Sequence, residues 1–258
     1  MQIRILSGAD VRAAIDMPTA IDAMRVAFGA LADGRAEVPV RLALETPHGV
    51  SLFMPAHLTG VGPSGGRREG AVDEIAGAKV VSVNPGNSRR GLPAIHGAVL
   101  ALDPETGRLL ALMDGTWLTA LRTGAVGGLA ADLLSRADAR VVALFGAGVQ
   151  ARTQLEAVRC VRAIEEVRVV SRDGAGAEAL AAELTGVEAR AERDPAEAIR
   201  GADIIVAATS SATPVFSGAL VEPGTHVTGV GSFTPEMREV DTDLVRRARV
   251  VVDQREAI

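Results

Sequence analysis

The spacing in this chain that could do chemistry is Gly146-x-Gly148-x-x-Ala151, directly after the apolar run 141–145. Gly146 permits a tight turn out of a strand, and Gly148 has no side chain to hold a pyrophosphate off the backbone. Ala151 lets the following helix pack close to the sheet. Val149 and Gln150 open that helix, whose first N–H groups and dipole favour an anion. A glycine turn that binds nothing has the same spacing. The strand before it, the amphipathic segment after it and a second apolar run at 167–170 favour a dinucleotide.

The end of that second run reads Val170, Ser171, Arg172, Asp173. An acid at this place accepts hydrogen bonds from both adenosine ribose hydroxyls and repels a 2′-phosphate, whereas serine with arginine supplies a donor and a counter-charge. The expectation is NADP(H) in preference to NAD(H). NAD(H) stays open, because a shift of two residues would bring Asp173 into place. Thr209, Ser210 and Ser211 follow the apolar run 204–207, at the end of a parallel strand where ligands gather, and are expected beside the nicotinamide ribose.

The elements that must position these residues follow from hydrophobic period. The opening residues, MetGlnIleArgIleLeuSer, read as a short strand rather than a signal peptide. Helical spacing covers 8–33, with Pro18 in the first turn of a second helix and Gly34 closing it. The period then falls to about two over 38–45, 50–54, 78–83, 97–102 and 109–113, which predicts strands, the last two joined by a turn at 103–107. Between them, the glycine-rich stretch 59–74 reads as a hairpin tip. Arg67 and Arg68 there are expected to be solvated, a phosphate-binding pair being the alternative. A helix follows over 115–136. Strands at 141–145, 167–170, 187–190, 203–207, 226–230 and 249–252 then alternate with helices at 149–162, 175–184 and 195–200. Such alternation indicates a parallel sheet with right-handed crossovers. The fold class is α/β: an α+β domain over 1–116, then a Rossmann domain over 117–258 whose first helix, 117–136, is the connector.

Bulk properties exclude several functions. With 48% hydrophobic and 23% charged residues, the 258-residue chain can bury a substantial core. A net charge of −5 argues against nucleic acid as the partner. No apolar stretch approaches the roughly 20 residues needed to cross a bilayer. The single cysteine, Cys160, excludes an internal disulfide framework and suits a reducing compartment such as the cytoplasm. Its place on a predicted helix suggests a core residue rather than a nucleophile. His48, His57 and His226 lack ligand spacing with acids or cysteines, so no metal is expected.

Four strings complete the pattern: GlyAlaLysValValSerValAsnProGlyAsn at 77–87, GlyLeuProAlaIleHisGly at 91–97, AspGlyThrTrpLeuThrAlaLeuArgThrGlyAla at 114–125 and ValGlySerPheThrProGluMetArgGlu at 230–239. In this order, with the glycine turn between the third and fourth, the chain resembles the ornithine cyclodeaminase/mu-crystallin family over essentially its whole length. The resemblance implies an N-terminal α+β domain that binds substrate and forms a homodimer, and a Rossmann domain for the cofactor. It also implies one of several activities: ornithine cyclodeaminase, archaeal-type alanine dehydrogenase or reductase of cyclic ketimines. A non-catalytic binder of NADPH and a small ligand, as among mu-crystallin-like members, is the other class. Family members carry a further C-terminal segment that folds back on the first domain, and it would lie beyond Ile258.

Reducing an imine beside a carboxylate requires cations for the carboxylate, a donor for the nitrogen and a nicotinamide face against the carbon. The resemblance implies that Arg41 and Arg122 hold the carboxylate, and that Lys79 polarises or protonates the imine. Burial would lower the Lys79 pKa and make it an acid near neutrality. From the residues alone, Lys79 could face solvent, Arg122 could pair with Asp114, and Arg41 could be a surface residue. His96 would line the pocket or simply fill it; Ala94 and Ile95 stand where the family commonly has a small polar residue. Val230 and Gly231 join the implied cofactor contacts. The aspartate that assists amine chemistry in true cyclodeaminases falls at Phe233, which moves no proton. That departure favours reduction of a preformed imine, of the Δ1-pyrroline-2-carboxylate or Δ1-piperideine-2-carboxylate type, with Glu236 and Glu239 near enough to substitute for the missing acid.

Overall fold

The computed structural model describes residues 2–60, 73–232 and 234–253, so the expectations for Arg67, Arg68 and Phe233 lie outside the described residues. The chain divides into two units, Met1–Arg122 and Thr123–Ile258. Among the described residues no helix is long and apolar enough to cross a membrane.

The first unit runs β1 (Arg4–Leu6), α1 (Gly8–Ala14), α2 (Met17–Ala32), β2 (Ala36–Glu37), β3 (Leu42–Thr46), β4 (Gly49–Thr59), β5 (Glu74–Val83), β6 (Ile95–Leu102) and β7 (Leu109–Asp114). Ser7 and Asp10 form a capping box at the start of α1, and the Asp16 carboxylate caps α2, so both helices begin where their donors are satisfied. The sheet order is β1-β7-β6-β5-β4-β2, with β3 also on β4. Neighbours are antiparallel except β1, which runs parallel to β7.

One expectation for this sheet needs correction. The predicted strand 38–45 is interrupted: β2 ends at Glu37 and β3 begins at Leu42. Pro39 lies in the break, and a proline has no N–H to give a ladder. Arg41 therefore sits just before β3, exposed, rather than inside a strand.

Because side chains alternate across a strand, the register sorts this sheet into two faces. Lys79, Val81, Gly97, Val99, Ala111 and Met113 share one face. Val81 and Ala111 are buried there. The other face carries Ile5, Leu42, Leu44, Phe53 and Leu112, all exposed, with Ile5 at 77% and Leu42 at 68%.

Helix α3 (Gly115–Leu134) spans the division between the units. The second unit continues with β8 (Val141–Phe145), α4 (Val149–Val161), β9 (Glu166–Val170), α5 (Ala175–Glu183), β10 (Glu188–Ala191), α6 (Pro195–Ile199), β11 (Ile204–Ala207), β12 (His226–Gly229) and α7 (Thr242–Arg247). Its five strands are parallel in the order β10-β9-β8-β11-β12. Val142 and Leu144 of β8 pack into one apolar cluster, with Ala151, Leu155 and Val158 of α4. Ala143 and Phe145 pack into a second, with Ile199 and Phe216. A sheet with a core on both faces is the doubly wound Rossmann arrangement.

Two expectations fail in this unit. The run 249–252 forms no strand, and Val250, Val251 and Val252 are exposed. Its β-branched residues favour a pleated, half-buried surface, but no described strand pairs with it. Cys160 is exposed, not core. It lies two residues past the buried Val158, roughly 200° around the helix from the face that packs on the sheet.

Candidate active site

In the first unit, the start of α3 is pinned to the sheet at β6. Gly97 and Gly115 approach so closely that a Cβ on Gly115 would lie 2.6 Å from the Gly97 carbonyl carbon. The Thr116 hydroxyl accepts from the Gly97 N–H at 3.1 Å. Asp114 accepts from the Trp117 N–H at 2.8 Å and so caps the helix. The Arg12 guanidinium stacks 4.1 Å above the Trp117 ring. Since Gly97 lies on the Lys79 face of the sheet, α3 starts over that face, and Arg122 follows along it.

Lys79 sits mid-sheet, between Met54 of β4 and Val99 of β6. Its ammonium is pushed down from the usual lysine value to about 8, first by burial, then by the positive charges of Arg122 and Arg41. Three cations from β5, α3 and the segment before β3 are thus brought together against their mutual repulsion. That arrangement suits an anion bound among them, and a lysine that releases its proton near neutral pH. The solvent-facing alternative for Lys79 does not hold. Arg41 is exposed, yet its charge reaches Lys79.

His96 is not brought to this group. It pairs with Ser82 across β5 and β6, three residues before Val99, and so projects from the opposite face of the sheet. There the Ser82 and Ser51 hydroxyls lie 2.7 Å apart. The expectation that His96 lines the pocket with Lys79 is corrected by this parity. Among the described residues no group of three or more histidines, cysteines or acids could hold a metal ion.

In the second unit, the glycine turn has the geometry a pyrophosphate needs. Gly146 has φ +109, and a Cβ on it would lie 2.4 Å from the Ala208 carbonyl oxygen. Any other residue there would be strained and would collide. Gly148 differs: a Cβ would meet nothing within 4 Å. Gly148 is also the N-cap of α4, and no side chain caps its N–H groups. Open space over uncapped donors at a helix start fits a dinucleotide's phosphates. Val149 is exposed at this opening, Ala151 is buried against the sheet, and Gln150 is half-buried beside them.

At the end of β9, the Ser171 hydroxyl accepts from the Ala177 N–H at 2.9 Å, tying it to the first turn of α5. Arg172 is exposed. The Asp173 carboxylate lies 3.4 Å from the Gly176 N–H. Past β11 and β12, Ser210 is exposed, while Thr209 and Gly231 are bound to one carboxylate, that of Glu239. Val230 donates from its N–H to the Ala207 carbonyl at 2.9 Å. Glu236 is exposed.

The sequence reading missed Gln154 and the two glycines facing α4. Fully buried Gln154 donates to the Thr123 carbonyl at 2.8 Å. A Cβ on Gly124 would lie 2.6 Å from the Thr153 carbonyl oxygen, so α3 and α4 touch backbone to backbone. Glycines in an otherwise apolar helix were the available signal for that contact.

The whole chain, residues 1–258, matches the model of the ornithine cyclodeaminase/mu-crystallin family. A Δ1-pyrroline-2-carboxylate reductase of Bacillus cereus is 35% identical over 259 residues, 98% of this chain and 76% of that protein. The structure of the Δ1-pyrroline-2-carboxylate reductase of Thermococcus litoralis, in complex with NADH and L-proline, superimposes with a TM-score of 0.89 at 37% identity, covering 98% of this chain and 76% of that one. An archaeal alanine dehydrogenase dimer with bound NAD superimposes with a TM-score of 0.90 at 37% identity, covering 100% of this chain and 76% of that one. With a lysine on the sheet whose charge is opposed by those of two arginines, an open glycine turn on a parallel sheet and this likeness along its full length, the chain belongs to the ornithine cyclodeaminase/mu-crystallin family.

Proposed function

We propose that the protein is an NAD(P)H-dependent reductase of small cyclic ketimine carboxylates, of the Δ1-pyrroline-2-carboxylate or Δ1-piperideine-2-carboxylate type. The observation that carries this reading is Lys79, held near a pKa of 8 between two arginines. Arg122 and Arg41 bind the substrate carboxylate, which fixes the ring and places its imine nitrogen at the Lys79 ammonium. Lys79 then gives its proton to that nitrogen as the carbon is reduced. The bound nicotinamide supplies the hydride. Gly146, Gly148 and the start of α4 seat the pyrophosphate, and Thr209, Val230 and Gly231 lie towards the nicotinamide half.

At the adenosine end we propose NADP(H) in preference to NAD(H). Exposed Arg172 offers a counter-charge to a 2′-phosphate, and Asp173 lies towards the start of α5. The first unit serves as the substrate domain and, through its exposed apolar sheet face, as the contact with a second copy. The dimeric state of the alanine dehydrogenase relative supports that assignment.

Purified protein is offered Δ1-pyrroline-2-carboxylate, pyruvate with ammonia, or ornithine, each with NADPH, NADH or their oxidised forms. The proposal expects reduced cofactor to be consumed fastest with the cyclic imine, at higher catalytic efficiency with NADPH. Turnover of ornithine with ammonia release, and none of the imine, would contradict it. A clear NADH preference would overturn the cofactor assignment alone.

A further inference from the structure

We propose that Glu239 is a positioning residue for the nicotinamide half of the cofactor, holding the loops after β11 and β12 at a fixed spacing. The proposal rests on the dinucleotide reading of the glycine turn. In this sheet the strand order reverses between β8 and β11, and a dinucleotide lies across the carboxyl ends of the strands at such a point. Its phosphates belong at the start of α4 and its adenosine at the end of β9, so its other half extends over the ends of β11 and β12. The loops that begin there carry Thr209 and Gly231.

Glu239 lies in the loop between β12 and α7, eight residues past Gly231, and is 2% exposed. It reaches back to the start of its own loop and across to the loop after β11. One of its oxygens, Oε1, accepts from the Thr209 N–H and from the Thr209 hydroxyl, the latter at 2.7 Å. The other, Oε2, accepts from the Gly231 N–H at 2.6 Å. Main-chain bonds close the same seam: Arg238 N–H to the Ser211 carbonyl at 2.8 Å, and Val215 N–H to the Glu239 carbonyl at 3.0 Å. The loops are in backbone contact, since a Cβ on Gly231 would lie 1.7 Å from the Thr209 carbonyl oxygen. Ala208, one residue earlier, is the neighbour that Gly146 touches. The carboxylate thus sets one wall of the cleft against the glycine turn.

A buried carboxylate is costly unless its oxygens are satisfied, and here both are. With both oxygens engaged, Glu239 does not stand in for a proton-moving aspartate, as the sequence had left open. Glutamine at this position keeps the shape but turns an amide N–H₂ towards either the Thr209 or the Gly231 donor. The spacing of the loops would change, while the adenosine end would not.

The test compares two ligands on the full chain: NADH, by its fluorescence on binding, and ADP-ribose, which lacks the nicotinamide half, by calorimetry. Glu239→Gln should weaken NADH by about tenfold while ADP-ribose stays within about twofold of the unsubstituted protein. Thr209→Val, which removes only the hydroxyl donor, should show the same selective loss in smaller degree. It carries the test if Glu239→Gln fails to fold. Equal weakening of both ligands would mean a general structural role and overturn the proposal, as would unchanged affinity for both. Failure of the unsubstituted protein to bind either ligand would instead remove the dinucleotide reading itself, and the proposal with it.

Discussion

Lys79 owes its lowered pKa to burial first and to its arginine neighbours second, and the two causes can be separated. The free protein's catalytic efficiency on the imine should fall as pH rises through about 8, because the neutral amine has no proton to give. Arg122→Met removes a repelling charge, so the ammonium is easier to keep and the basic limb should move to higher pH. The same change should raise the KM for the imine by roughly a hundredfold, since a desolvated cation on the substrate carboxylate is lost. A pH–rate profile of both proteins checks this; a limb that stays in place would mean Arg122 does not face Lys79. Arg122 stood out in the sequence because a charge in an apolar helix needs an anion. Lys79 stood out only through the family string it belongs to, since by its residues alone it could face solvent. The place of His96 was not legible, because the face a strand residue occupies depends on parity with its neighbours. Nor was the role of Glu239, whose donor at Thr209 lies on a distant loop.

Strand and helix types were mostly legible because the hydrophobic period changes sharply between the two halves. They failed where one residue or an absent neighbour decided: at Pro39, which breaks a strand, and at 249–252, which has the propensity but no ladder. The two glycines of the phosphate turn look alike in sequence but differ in structure, and their substitutions should differ accordingly. Gly146→Ala forces a positive φ on a Cβ that meets the Ala208 carbonyl, and should destabilise the fold by about 1–3 kcal/mol. Gly148→Ala has φ −80 and open space, so it should lower the melting temperature far less than Gly146→Ala, by the modest cost of an alanine at an N-cap. It should still weaken NADPH, because the methyl group occupies the approach to the helix start. Thermal melts and cofactor titrations of the two variants check the contrast. Unchanged NADPH affinity in Gly148→Ala would place the phosphates elsewhere.

At the scale of the molecule, the first unit's sheet has one face buried and one face apolar but exposed. Exposed Ile5 pairs with Leu112 at one side of the sheet and exposed Leu42 with Phe53 at the other, with half-buried Leu100 and Val80 on the same face between them. Continuous apolar surface of this kind marks an interaction site. The proposed occupant is a second copy of the chain, which would present the same face and close the contact on itself as a two-fold dimer. If this face is the dimer contact, the unsubstituted protein should sediment as a dimer and Leu42→Asp with Phe53→Asp should leave a folded monomer in sedimentation velocity. A dimer that survives both charges would place the interface on another surface. This face was not foreseen from the sequence, where its residues alternate with those of the buried face and only the pairing separates them.

In the proposed reaction Lys79 protonates a cyclic imine whose carboxylate the arginines hold. Its most direct test is the rate of NADPH consumption with Δ1-pyrroline-2-carboxylate, measured for the unsubstituted protein and Lys79→Ala side by side, with cofactor affinity as the control. The unsubstituted protein should turn over steadily and Lys79→Ala should lose about 10²–10⁴-fold, with NADPH affinity unchanged. Equal rates in the two proteins, or no turnover in either, would contradict that reaction.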